Sequence, residues 1–451
     1  MKTVRIGSGA GYGGDRVEPA LELIKKGNID YIIFECLAER TIALAQKEKL
    51  VDKSKGYNPL LEYRFERILP LLKEHKVKII TNMGAANPVS AVEKVVEMAK
   101  REGLSNLKVV ALVGDDITNE LPNYYFTPIM ETGESLETIK DKIISANAYI
   151  GAQKISEALS EGADIIITGR VADPALVVGP LMYEFGKAYD DYDFLGKATV
   201  TGHLLECAGQ VTGGYFADPG YKDVDRLWDL GFPIAEVDEN GKIIISKLPE
   251  AGGEVTIDTV KEQLLYEIQN PSSYLTPDVN ADFSKVCVKQ ISKDNVEVDG
   301  ATGINKTGNL KVSVGYVDGF IGEGEISYGG HNALNRAKLA SEIVLKRLEL
   351  LDIHYEEIKV EYIGYNSLYK DQITEKIVSS GNEISEIRLR IAVRTDDEEL
   401  AKVIGREVEA LYTNGPSGGG GARARVTKVV SVASILIPEE VPTLKLIWKE
   451  V

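Results

Sequence analysis

Residues 3–16, Thr3-Val4-Arg5-Ile6-Gly7-Ser8-Gly9-Ala10-Gly11-Tyr12-Gly13-Gly14-Asp15-Arg16, decide the fold. A short β-branched run enters a glycine cluster, and a helix is expected only from Pro19. Gly9, Gly11 and Gly14 satisfy G-x-G-x-x-G after a strand. Glu35 closes the next apolar run about 20 residues on, where a dinucleotide fold places its ribose-binding acid. In a nicotinamide site the third glycine normally lies in the first helical turn. Here an Asp15-Arg16 pair intervenes, so a tight turn at the top of a parallel sheet stays open as a second reading. Either way the loop sits at the carboxyl end of the first strand, where open α/β sheets place ligands.

Four more apolar runs follow: Asp30 to Glu35, Val77 to Thr81, Lys108 to Val113 and Asp164 to Thr168. They are rich in Val and Ile and lack strict alternation, the pattern of strands buried on both faces. Between the third and fourth, Val92, Val95, Val96 and Ala99 repeat at helical spacing, with Pro88 fit for the first turn and Gly103 placed to end the helix. Ile150 to Leu159 predicts another helix, stopped by Gly162. Strand alternating with helix predicts parallel pairing. The expected class is α/β. A doubly wound, mostly parallel, Rossmann-like sheet covers residues 1–205, and a second, mixed α/β domain covers residues 206–451. In the second half Lys242 to Ile245, Lys311 to Tyr316, Ile387 to Val393 and Val426 to Ile437 predict strands. Ala333 to Leu351 and Val403 to Leu411 predict helices.

The chain has 451 residues, enough for two domains, with 44% hydrophobic and 27% charged residues, the balance of a globular protein. Its formal net charge of −17 argues against a nucleic-acid-binding surface, though a local basic site can still serve a small anionic substrate. Cys36, Cys207 and Cys287 make no disulfide framework, which suits a reducing cytoplasm. No secretory signal opens the chain, and no apolar run approaches the roughly 20 residues that cross a bilayer. A cytoplasmic homo-oligomer without membrane or nucleic-acid partners is expected.

The candidate substrate-binding residues lie in loops after strands. Gly9, Gly11, Gly14, Asp15 and Arg16 follow the first, Asn82 the third, and Arg170 the fifth, with Asp173 beside it as a catalytic acid. The Arg170 fork suits carboxylate or phosphate, although an internal Arg170–Asp173 pair would also fix the loop. Further on, His203, Glu206 and Cys207 share a helix face at i, i+3 and i+4. His203 oriented by Glu206 is a candidate base. HxxE alone does not make a metal site, and none is assigned. Glu323 and Glu325 alternate with glycines and are candidate catalytic acids, or else solvated acids of a hairpin. Finally, Asn414, Gly418, Gly419, Gly420 and Arg423 surround a tetraglycine run. Its free N–H groups, with Arg423 and Arg425 following, predict an ordered anion-binding loop.

These strings also resemble a known family. Gly13-Gly14-Asp15-Arg16, Thr168-Gly169-Arg170-Val171-Ala172-Asp173, Gly202-His203-Leu204-Leu205-Glu206-Cys207, Gly322-Glu323-Gly324-Glu325-Ile326-Ser327-Tyr328 and Tyr412-Thr413-Asn414-Gly415-Pro416 are similar to those of the acyclic terpene utilisation (AtuA-like) proteins. The resemblance runs through nearly the whole chain. It implies an acyl-CoA or branched carboxylate substrate, because the family is named for the breakdown of acyclic terpenes as CoA thioesters. It brings no catalytic residues with it. Longer members carry a C-terminal ferredoxin-like domain, so that piece is expected to be absent or supplied by a separate small chain. The expected function is an enzyme of branched acyl-CoA or carboxylic acid catabolism, a lyase, hydratase or isomerase; a CoA thioester is one candidate substrate, and no cofactor is assigned. The alternatives are a nicotinamide-dependent oxidoreductase and a non-catalytic CoA-ester-binding subunit.

Overall fold

A computed structural model describes residues 2–370, 374 and 384–451. Strands β1 (Thr3–Ala10), β2 (Tyr31–Phe34), β3 (Lys78–Thr81) and β4 (Lys108–Val113) belong to one sheet, while β5 (Ile143–Ala148) pairs with a later strand outside it. β6 (Ile165–Thr168) returns to that sheet between β3 and β4, giving a parallel centre in the order β1-β2-β3-β6-β4. β2 and β6 are buried along their whole length, which is why their sequences are unbroken apolar runs. The sequence-derived strands are all present. Antiparallel strands extend both edges: β7 (Pro233–Asp238) beside β1, then β8 (Ile243–Lys247) and two more, with Lys445–Glu450 beside β4.

Helices α1 (Glu18–Lys26), α2 (Glu39–Val51), α3 (Leu61–Ile68) and α4 (Pro88–Arg101) precede the return. α1, α3 and α4 pack one face of the sheet, α4 through Val92, Val95 and Val96. Asn87 caps α4, its side chain accepting from the Ser90 N–H at 3.4 Å. α5 (Gln153–Ser160), α6 (Ala175–Phe185) and α7 (Tyr192–Glu206) follow. α6 and α7 pack on β1, and α5 packs on β4. The chain therefore steps one way from β1 to β4 and then turns back. Ligands of open α/β sheets bind beyond the carboxyl ends of the strands at such a reversal.

The chain forms two compact units, Met1–Gly315 with Val432–Val451, and Tyr316–Ser431. The expected boundary near residue 205 falls at the end of α7, inside the first unit. The second unit has a β-α-β-β-α-β order, and its sheet runs Glu357–Ile363, Glu386–Thr395, Asn309–Gly329, Gly419–Pro438. That is the ferredoxin-like arrangement. Its helices Ala333–Leu350 and Glu398–Asn414 cover one sheet face through Ile326, Tyr328, Leu389 and Ile391. No helix among the described residues is long and apolar enough to cross a membrane.

Candidate functional site

The loops after β1, β2 and β6 and the end of α7 enclose a cleft of about 560 Å³ in the first unit. Gly11, Asp15, Glu35, Glu39, Arg170, Asp173, Glu206 and Glu267 line it, with Tyr12 and Tyr215 at its rim. Six carboxyl groups thus face one guanidinium. Such crowding in a partly buried space is costly unless some of the acids keep their protons.

Glu35 is buried at the end of β2. Its Oε1 accepts from Asn82 Nδ2 at 2.8 Å and from the Leu37 N–H at 3.0 Å. Burial, and then the nearby Asp173 charge, push this carboxyl well above the usual range, with Arg170 pulling the other way. Asp173 is pushed up to about 7, mainly by burial, against the pull of Arg170 and with help from Glu206. Glu39, at the start of α2, goes the other way: the Tyr149 hydroxyl donates to it, Lys311 lies 3.3 Å away, and it is held down at about 2 despite its burial.

Arg170 organises this group and is almost fully buried. It donates to the Leu37 carbonyl, sits 3.1 Å from Asp173 and lies over the Tyr149 ring at 4.0 Å. Its backbone N–H donates to Asp115, a buried carboxyl itself pushed up to about 6 by burial. A second buried arginine, Arg64, donates from Nη2 to the Asp15 carbonyl at 2.9 Å and from Nη1 to the Gly13 carbonyl at 3.3 Å. It pins the glycine loop from beneath.

His203 and Glu206 are paired, with Nδ1 and Oε1 2.8 Å apart. Glu206 lines the cleft and His203 does not; the imidazole is 1% exposed and stands behind the acid, near the Tyr274 and Phe283 rings. Burial opposes a charge on this imidazole, but the Glu206 carboxylate outweighs it and raises the His203 pKa. Glu206 Oε2 is buried without a hydrogen-bond partner. An acceptor left open in this way is able to take a hydrogen bond from a group that enters the cleft.

The glycine loop shows why each glycine is there. A Cβ on Gly11 would lie 2.5 Å from the Cys207 carbonyl carbon, so the end of α7 covers the loop. The Gly11 N–H donates to Asp15 Oδ2 at 3.0 Å. In a dinucleotide site that N–H would face a pyrophosphate, and Glu35 would reach a ribose. Here the first is given to a carboxylate and the second is held by Asn82 and Leu37. Gly9 packs against Phe34, Gly14 against Tyr12, and Arg16 donates to the Trp228 carbonyl at 3.2 Å. The cleft walls also carry backbone that L residues rarely adopt, at Tyr215 and Glu267, both with φ of 61°.

The remaining sequence-derived candidates belong to the second unit. Glu323 and Glu325 lie in one continuous strand rather than a hairpin, and they pair with Arg390 and Arg388 across the sheet. The tetraglycine run opens the strand Gly419–Pro438, with Gly418 and Gly421 at φ of 76° and 65°. Asn414 ends the preceding helix, its side chain donating to the Ala410 carbonyl at 3.1 Å, and Arg423 is exposed. Glu39, Tyr149 and Glu267 are site residues that the sequence did not mark. Among the described residues no group of three or more His, Cys, Asp or Glu side chains is placed to hold a metal ion.

Residues 4–446 match the family described as "Acyclic terpene utilisation family protein AtuA". No curated protein and no solved structure matches the chain.

Proposed function

The chain belongs to the acyclic terpene utilisation family, and on that premise we propose that it is an enzyme of branched acyl-CoA or carboxylic acid catabolism, a lyase, hydratase or isomerase, working in the cleft at the strand ends. One observation carries this reading. Within a single cleft burial pushes Asp173 up to about 7 and Glu35 well above the usual carboxylate range, while Glu39 is held down at about 2. Carboxyls driven apart in this way keep proton-holding acids and an ionised carboxylate in one space at the same pH.

Charge narrows the reacting group. Six acids against one arginine repel a phosphate or free carboxylate at the reacting end. A neutral thioester carbonyl with a neighbouring hydroxyl or double bond meets no such repulsion, so the anionic part of a CoA ester would remain outside. Glu206, open at Oε2, takes the proton next to the carbonyl, with His203 as its positioning residue. Glu35, kept neutral, donates a hydrogen bond to the carbonyl oxygen as negative charge builds there. Asp173 delivers a proton to the departing hydroxyl, or to the far carbon in an isomerisation, and Arg170 keeps Asp173 in place.

The test is turnover. Branched enoyl and hydroxyacyl CoA thioesters are incubated with the wild type, and hydration or dehydration is followed by mass spectrometry. The reading expects a pH–rate profile with a limb near 7 that disappears in Asp173→Asn. Turnover of none of these thioesters, or turnover equal in wild type, Glu206→Gln and Asp173→Asn, rejects it.

A further inference from the structure

A second cavity of about 430 Å³ lies in the same unit, and Asp173 lines both. Its character is different. Met130, Pro174, Leu275, Pro277 and Leu436 form much of its wall, and Tyr149 and Tyr274 contribute ring faces. Tyr149 also ties it to the acidic cleft, because its hydroxyl donates to Glu39 on the cleft side. The wall between the two spaces is therefore Asp173 together with the Tyr149–Glu39 pair. Leu275, Met130 and Leu436 are 60%, 57% and 47% exposed. Large apolar side chains gathered around a concave space mark a binding surface rather than a scatter of surface residues.

We propose that this second cavity is the acyl-chain chamber of the enzyme: it takes the branched alkyl tail of the substrate while the reacting carbonyl end lies in the acidic cleft, with Asp173 at the junction. The inference rests on the reading of the acidic cleft as the reacting site. Three features point to this occupant. The chamber is mostly apolar, with Thr276, Thr307, Asn309 and Lys311 as its polar groups, where the cleft is dominated by acids, so a molecule that spans both is mainly apolar at one end and polar at the other. The shared wall is the residue assigned to proton delivery, which puts the reacting carbon where a chain leaves the cleft. The volume has room for roughly a dozen methylene-sized groups at about 30 Å³ each, the scale of a medium-length branched chain. On this view Leu275 and Met130 set chain-length specificity.

Calorimetric titration with butanamide, heptanamide and decanamide and their methyl-branched relatives, neutral probes that keep a carbonyl and carry no charge into the acidic cleft, tests the chamber without requiring turnover. In the wild type each added methylene should tighten binding, up to about fourfold where it is fully buried. Leu275→Trp and Met130→Trp should each flatten that gain between heptanamide and decanamide. Both side chains are more than half exposed, so folding is not at stake, and matching urea unfolding curves would verify it. The same chain-length slope in both variants as in the wild type, or no slope in the wild type, overturns the chamber. The two readings fail separately. Chain-length-dependent binding without turnover keeps the chamber and removes the lyase reading, whereas turnover indifferent to chain length does the reverse.

Discussion

Asp173→Asn should stabilise the protein at about pH 8. The carboxyl is pushed up to about 7 from an ordinary 3.8, first by burial, with Arg170 pulling it down and Glu206 adding to the rise. A gap of about three units, at roughly 1.4 kcal/mol each, sets a ceiling of about 4 kcal/mol. The side chain is 34% exposed, so water screens part of the effect, and about 2 kcal/mol is the working figure. The sign follows from which form the fold prefers. The folded chain holds the proton more tightly than the unfolded chain, so stability is highest below about pH 4. It falls as pH rises toward 7, and above that the whole penalty is present. Asparagine carries no charge at any pH and avoids this loss. Urea unfolding of both proteins from about pH 4 to pH 8 reads the difference, expected near zero at the acid end and near ~2 kcal/mol at the other. Parallel curves, or a variant less stable at pH 8, would refute the reasoning.

Other substitutions probe the same structure. Arg170→Met removes a buried cation from Asp173, the Leu37 carbonyl and the Tyr149 ring, and should cost about 3–5 kcal/mol in urea unfolding. Gly11→Ala puts a Cβ against the Cys207 backbone and should cost about 1–3 kcal/mol, whereas Gly420→Ala meets nothing within 4 Å and should stay within about 0.5 kcal/mol. Glu206→Gln should lower turnover about 10²-fold or more, while His203→Asn, which removes only the positioning group, should lower it less and shift the pH profile.

The centre of the fold was legible because burial on both faces writes itself as apolar runs, as in Ile165-Ile166-Ile167. Strand β5 was not, because its Ser145 and Asn147 break the run; both are buried, and Asn147 Nδ2 donates to Asp115 at 2.9 Å. The edge strand Lys445–Glu450 is half exposed and is placed by its register against β4, which no local pattern announces. Asp15, Arg170 and Asp173 could be picked out since they lie in the loops that follow β1 and β6, and Glu206 since it ends α7 three residues after His203. Glu267 could not, because its approach to the cleft depends on how a distant loop folds over. The conformation of the tetraglycine run was also hidden from the sequence. Four glycines suggest a loop, but a Cβ on Gly419 would come within 3.0 Å of Ile326 and 3.2 Å of Tyr328, so packing against a neighbouring strand sets its conformation.

The central claim is that the acid-rich cleft moves protons at the carbon next to a thioester carbonyl. The most direct measurement is deuterium uptake from heavy water into a branched acyl-CoA thioester, followed by NMR at that carbon. The account predicts uptake with the wild type and a loss of about 10²-fold or more with Glu206→Gln, measured under conditions where urea unfolding shows that variant still folded. Absence of uptake across straight and branched thioesters, or equal uptake by wild type and Glu206→Gln, would contradict it.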